Sequence, residues 1–289
     1  MNHPFGQLVV VMQDPLSLLT ARQVHGWVDR MRIIPFALLI NLLLSGCAEE
    51  TDQDLRNQSE LQKITRLAEV GDPLAQNKLG LSYYRGENVP QDFNKALEWY
   101  GKAAAQEFAD AQYNLGVMYD AGHGVPEDNA VAAKWYAKAA EQGNPSAQSN
   151  LGAMYLNGEG LAQDDTEALK WFSKAAGQGY AIAQYNLGVI YDKGFGVPEN
   201  NEEAVKWYAK AAAQGHASAQ YNLGVMYKDG RGAEKNLIEA YAWYNLAFVF
   251  GDKDAQGERD GLGLKDGEIS EARVLSSEIY KMIVAQRGN

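Results

Sequence analysis

Tryptophan recurs at positions 99, 135, 171, 207 and 243, a step of 36 residues each time. Leu-Gly pairs keep that step at 79/80, 115/116, 151/152, 187/188 and 223/224, and Ala-Gln pairs at 75/76, 111/112, 147/148, 183/184, 219/220 and 255/256. Self-similarity at about 20 to 50 residues marks a stacked array, in which no unit can bury its apolar face alone and each neighbour must cover the next. Length alone, 289 residues, would suggest one or two domains of about 100 to 200 residues. The repeats override that prior.

Inside one period the apolar spacing is that of two helices. In the second unit Ala111, Leu115, Met118 and Tyr119 share a helix face, Gly122 and Gly124 interrupt it, and Ala132, Trp135, Tyr136, Ala139 and Ala140 resume it. Asp92, Asp128, Asp164, Asn200 and Asn236 stand where each second helix should start, able to accept from unpaired backbone N–H groups. Glu167, Glu203 and Glu239, three residues on, predict capping boxes. Gly71, Gly143, Gly179, Gly215 and Gly251 mark left-handed helix ends, with Glu107 the exception. A glycine within a helix costs about 1 kcal/mol relative to alanine. Its presence in all five first helices, from Gly80 to Gly224, predicts close approach to a partner helix, with the Trp and Tyr of the second helix around it. Residues 57–71 read as an N-terminal capping helix. Residues 252–289 read as a degenerate sixth unit and a capping helix through Ile269, Ala272, Leu275, Ile279 and Ile283.

The pattern A-Q-x-N-L-G-x-M-Y-x-x-G-x-G-V-P, followed by A-x-x-W-Y-x-K-A-A-x-Q-G, resembles the Sel-one-like repeat, a relative of the tetratricopeptide repeat, over residues 72–251 in five good copies. The resemblance implies an all-α fold, a right-handed superhelical α-solenoid of tandem helix-turn-helix repeats. It also implies a role as adaptor or scaffold. Many members bridge their helices with paired cysteines; the repeats here contain none, so packing and the caps must hold the stack.

From Met31 the chain reads MRIIPFALLINLLLSGC, a basic start, a short apolar stretch from Ile33 to Leu44, and small residues before Cys47. A transmembrane helix needs about 20 apolar residues, whereas this layout is that of a secretory signal. Leu44, Ser45, Gly46 and Cys47 resemble the lipobox of bacterial lipoproteins, which implies cleavage after Gly46 and a lipid on Cys47. Residues 31–46 are thus expected to be a signal peptide and 47–56 a polar tether. Residues 1–30, with Asp14 and Asp29 where a signal carries positive charge, read as an upstream extension. Ala48 resembles lipoproteins sent to the outer membrane, so the expected location is the periplasmic side of that membrane, with the acyl chains as anchor.

The chain carries 26 basic and 37 acidic residues, a formal charge of −11. Loss of residues 1–46 removes Arg22, Arg30, Arg32, Asp14 and Asp29, leaving 26 − 3 = 23 basic against 37 − 2 = 35 acidic residues, or −12. Acid is spread along the chain with no basic stripe evident, which argues against nucleic acid. One cysteine excludes a disulfide framework and a cysteine-built metal site. In the expected mature chain only His123 and His216 remain, at different phases of the repeat, and they read as ordinary surface residues. The G-x-G loops at 122/124, 158/160, 194/196 and 230/232 follow no strand and so read as inter-helix turns, not nucleotide sites. Acid pairs such as Asp164/Asp165 and Glu202/Glu203 sit at helix starts, where they favour the macrodipole. No catalytic constellation, metal site or small-molecule cofactor is expected.

The remaining candidate is a surface. If the helix faces follow the tetratricopeptide scheme, first-helix residues make a concave groove in three rows. The first is Tyr113, Ser149, Tyr185 and Tyr221; the second is Leu81, Val117, Ala153, Val189 and Val225; the third is Tyr84, Asp120, Leu156, Asp192 and Lys228. Tyrosine supplies rigid contact area, and Asp120 and Asp192 would select basic or polar groups on a polypeptide. The tyrosines could instead pack on the next unit. The expected function is a non-catalytic, periplasm-facing repeat lipoprotein that binds a protein partner. The resemblance also admits an immunity protein that neutralises a secreted effector such as a phospholipase. A hydrolase of β-lactamase type fits poorly, because the chain has no S-x-x-K motif.

Overall fold

The structure is a computed structural model that describes residues 56–287. The upstream extension, the signal, Cys47 and the tether up to residue 55 lie outside the described residues. The chain divides after Glu60, and the array belongs wholly to the unit Leu61–Asn289. Among the described residues there are thirteen helices and no strand. Helix α1 covers 56–69. Five helix pairs follow: α2 (Pro73–Arg85) and α3 (Phe93–Ala104), α4 (Ala109–Ala121) and α5 (Asn129–Glu141), α6 (Pro145–Asn157) and α7 (Asp165–Gly177), α8 (Ala181–Lys193) and α9 (Asn201–Ala212), α10 (Ala217–Asp229) and α11 (Leu237–Val249). The short α12 (Ala255–Asp260) and the long α13 (Asp266–Arg287) complete the chain. Each first helix packs on the second helix of its own unit and, from α4 onward, on the second helix of the unit before, which gives the right-handed superhelical α-solenoid.

The local signals act as read, with one correction. All five Asx residues cap their helices, for example Asp92 accepting from the Lys95 N–H and Asn200 from the Glu203 N–H. The capping boxes do not close. The cap N–H groups of Asp164, Asn200 and Asn236 donate instead to the carbonyls of Tyr155, Tyr191 and Tyr227, while Glu167 and Glu203 turn outward to Lys170 and Lys206. Glu107 adopts the left-handed conformation of its glycine counterparts at φ 59° without glycine's freedom.

Close approach accounts for the helical glycines, but tyrosine or phenylalanine is the partner, not tryptophan. A Cβ placed on Gly116 would lie 2.5 Å from the Tyr136 ring, and one on Gly152 would lie 3.1 Å from Phe172. Each tryptophan instead covers a seam: Trp135 packs on the core of Tyr100, Ala103 and Leu115, and Trp207 on that of Phe172, Ala175 and Leu187. The second glycine of each G-x-G loop abuts the start of the preceding unit's second helix, as Gly196 does at Asp165, so these loops are inter-unit contacts.

A buried amide ladder runs through the seams. Gln148 Nε2 donates to Ala140 O at 3.0 Å, and its Oε1 accepts from Gln178 Nε2 at 2.8 Å. Gln76, Gln112 and Gln184 repeat the pattern with Gln106, Gln142 and Gln214. At the last unit Phe250 stands where that second glutamine would be, and Gln220 Oε1 is buried without a partner. Leu246 likewise replaces the lysine of the four earlier units. Both exchanges receive α13, whose Ile279 and Ile283 pack on Leu246 and Phe250.

Candidate functional site

The first-helix face carries the three predicted rows, but packing draws on much of each. Tyr113, Tyr185 and Tyr221 are half-buried, their rings tilted against Tyr136, Tyr208 and Tyr244 at centroid distances of 5.8, 6.0 and 5.5 Å. Burial pushes all three phenols above their ordinary pKa. Ser149 is only 2% exposed and interrupts the tyrosine row. Leu81, Val117, Val189 and Val225 each touch a core cluster yet stay partly open.

The third row is mainly a row of inter-unit links. Tyr84 Oη lies 3.0 Å from His123 Nδ1, and Asp192 Oδ1 accepts from Arg231 at 2.6 Å, both partners lying on the next unit's G-x-G loop. Lys228 donates to Glu258 at 2.7 Å, and Leu156 packs on the core of Phe172 and Leu187. The Asp192 side chain is 7% exposed and ion-paired, so the expectation that it selects basic groups on a partner is corrected: Arg231 already occupies that role. Asp120 remains exposed, accepting from Tyr136 Oη at 3.2 Å. At the N-terminal end of this face Leu81, Tyr84, Tyr113 and Val117 come together with Arg85, Tyr100 and Asn114 around a cleft of 160 Å³.

Two further clefts, of 520 and 390 Å³, flank α13 at the other end of the chain, the larger edged by Glu239, Glu271 and Glu278. The histidines are not ordinary surface residues. His123 stacks on Phe93 at 4.7 Å. His216 stacks on Tyr185 at 4.7 Å and accepts the Ala219 N–H on Nδ1 at 3.3 Å, and burial lowers its pKa. Among the described residues no group of three or more His, Cys, Asp or Glu side chains could hold a metal ion, and no helix is long and apolar enough to cross a membrane.

Three features went unread in the sequence. Arg85 and Asn114 belong to the cleft although they fall outside the three rows. The glutamine ladder had a signal in the constant offset of 30 residues, from Gln76 to Gln106 and onward. A basic row does exist: Lys102, Lys138, Lys174 and Lys210 lie over Trp99, Trp135, Trp171 and Trp207 at 3.9, 4.3, 4.0 and 3.8 Å. Their 36-residue step hid it, because no two are close in sequence.

The Sel1 repeat pattern matches residues 73–108, 109–144, 145–180, 181–216 and 217–248. Among solved structures, c5321, a protective antigen present in uropathogenic Escherichia coli strains displaying an SLR fold, is 37% identical with a TM-score of 0.68, over 79% of this chain and 49% of its own. This chain therefore spans about half the length of that relative. A Sel1 repeat protein from Oxalobacter formigenes is 30% identical with a TM-score of 0.68, over 80% of this chain and 95% of its own. No protein of curated function matches the chain. Sel1 repeat proteins mediate protein–protein interaction on a scaffold that is generally non-catalytic. Five successive matched repeats, folded as the same solenoid, place this chain in the Sel1 repeat family.

Proposed function

We propose that the chain is a non-catalytic repeat lipoprotein that binds a protein partner along its first-helix face, tethered through a lipid on Cys47 at the periplasmic side of the outer membrane. The tether rests on the lipobox-like sequence. The binding role rests on one observation: Tyr113, Tyr185 and Tyr221, with Val117, Val189 and Val225, recur along one face and stay partly open there although each also packs on a core cluster. A row of rigid aromatic and aliphatic side chains with Asp120 at its edge suits an extended or helical polypeptide.

The test is crosslinking of the full chain in the intact envelope of a Gram-negative host, wild type beside Tyr185→Ala plus Tyr221→Ala. Proteins captured by wild type and lost from the variant support the reading. A lipase-like toxin among them assigns an immunity role, and envelope machinery assigns a scaffold. Identical capture by both forms refutes the groove, and retention of a Cys47→Ser form in the same membrane fraction refutes the lipid tether.

A further inference from the structure

At its N-terminal end the first-helix face carries no carboxylate over the buried phenol of its unit. Units two and four carry Asp120 and Asp192 one residue before the ends of their first helices, followed by Ala121 and by Lys193, whereas unit one has Tyr84 at that place and Arg85 after it. That exchange matters for the buried phenol beneath. In unit two Tyr136 Oη donates to Asp120. In unit one Tyr84 occupies the carboxylate's place and its own hydroxyl is engaged by His123, so no hydrogen bond to the Tyr100 hydroxyl is found among the described residues. Tyr100 nevertheless lines the 160 Å³ cleft. Burial raises its pKa while the nearby Arg85 charge opposes the rise, so the hydroxyl is a protonated donor at physiological pH with a guanidinium beside it.

Arg85 is available. Its one ion pair among the described residues, to Glu87 at 3.4 Å, joins side chains 55% and 57% exposed, a contact of little strength in water. Tyr113 adds a second hydroxyl to the wall, and no carboxylate lines the cleft. On a chain of charge −11 this is a local cluster of donors with a cation and no acceptor of matching charge.

We propose that this cleft receives a carboxylate of the bound polypeptide, held by Arg85 and the Tyr100 hydroxyl. This rests on the first-helix face being the binding face. Arginine suits a carboxylate because its planar fork offers two parallel N–H donors, and the cleft has room for one acidic side chain or chain terminus. The charge complementarity has a direction: an acidic group belongs at unit one, and a basic or polar group beside exposed Asp120 one unit on.

Phage-displayed random dodecapeptides are panned on the full chain, and the tightest is synthesised in its acidic form and with each Asp, Glu or terminal carboxylate turned to amide. Fluorescence polarisation then compares wild type, Arg85→Gln, Arg85→Lys, and Tyr185→Ala plus Tyr221→Ala, each checked by circular dichroism. The expected result is that one amide exchange weakens binding to wild type at least tenfold, that Arg85→Gln removes this discrimination, and that Arg85→Lys restores part of it. Acid and amide forms binding within twofold, or discrimination unchanged in Arg85→Gln, overturns the carboxylate site. If the tyrosine pair still abolishes binding in that case, the groove stands without it. If no variant matters, or no peptide binds, both fall.

Discussion

Replacing Gly116 by alanine isolates the contact on which every unit is built. Helix propensity favours the change by about 1 kcal/mol, since alanine is the better helix former. Packing opposes it: the added methyl would lie 2.5 Å from both Cδ1 and Cε1 of Tyr136, about 1 Å inside an ordinary contact. Tyr136 is 0% exposed and its hydroxyl is held by Asp120, so the ring has nowhere to go without loosening the unit. Overpacking of that kind costs about 1 to 3 kcal/mol, and more in rigid sites. Because the overlap falls on a ring that cannot move, the upper part of that range applies, for a net loss of about 1 to 2 kcal/mol. Gly152→Ala is the internal control. Its methyl would meet Phe172 at 3.1 Å, so neighbours need give only a few tenths of an ångström and propensity roughly cancels strain. Thermal unfolding followed at 222 nm should place Gly116→Ala below wild type by about 2 to 8 °C, for about 2 to 4 °C per kcal/mol in a chain this size, with Gly152→Ala near wild type. A Gly116→Ala midpoint at or above that of Gly152→Ala would refute the close-approach argument.

Glu107→Gly should stabilise the protein by about 1 kcal/mol, because a non-glycine residue at φ 59° carries left-handed strain; a lower unfolding midpoint would count against it. Gln148→Met should be more damaging than Gln220→Met by about 1 kcal/mol, since the Gln148 amide makes two hydrogen bonds, whereas Gln220 makes one, from Nε2 to Ala212 O, and its Oε1 has no partner; urea midpoints compare them directly. His216 has its pKa lowered by burial, so the folded state favours the neutral ring that caps α10. The unfolded chain then takes up its proton first as pH falls. Stability from this group is present above the ordinary histidine value near 6.5 and declines below it. His216→Asn, the cap that unit three uses at Asn144, should flatten that decline in unfolding midpoints measured from pH 7.5 to 5.

Much of the fold was legible because its determinants are local and repeated. A single Asx cap or helix-ending glycine is weak information; the same residue type five times in register is not, and Asp92, Asp128, Asp164, Asn200 and Asn236 all cap as read. Capping boxes failed because a competing acceptor, the tyrosine carbonyl of the same unit, is invisible in a linear motif. The site was less legible for the same reason. Tyr84, Asp192 and Lys228 look like free groove residues in sequence, and their partners His123, Arg231 and Glu258 lie 39, 39 and 30 residues away.

The sequence by itself determined the unit: its length, its two helices, their ends, and the demand for close packing at one glycine. These follow from backbone propensities and periodicity, which act over a few residues. Tertiary structure decided which side chains the stack consumes and which it leaves open. Asp192 is neutralised across a seam while Asp120 is left at the surface, and Tyr136 has a carboxylate while Tyr100 has a cleft and a guanidinium. Such differences arise only when one unit is laid against the next, because charge pairing and burial depend on distances in space that a repeated motif does not encode.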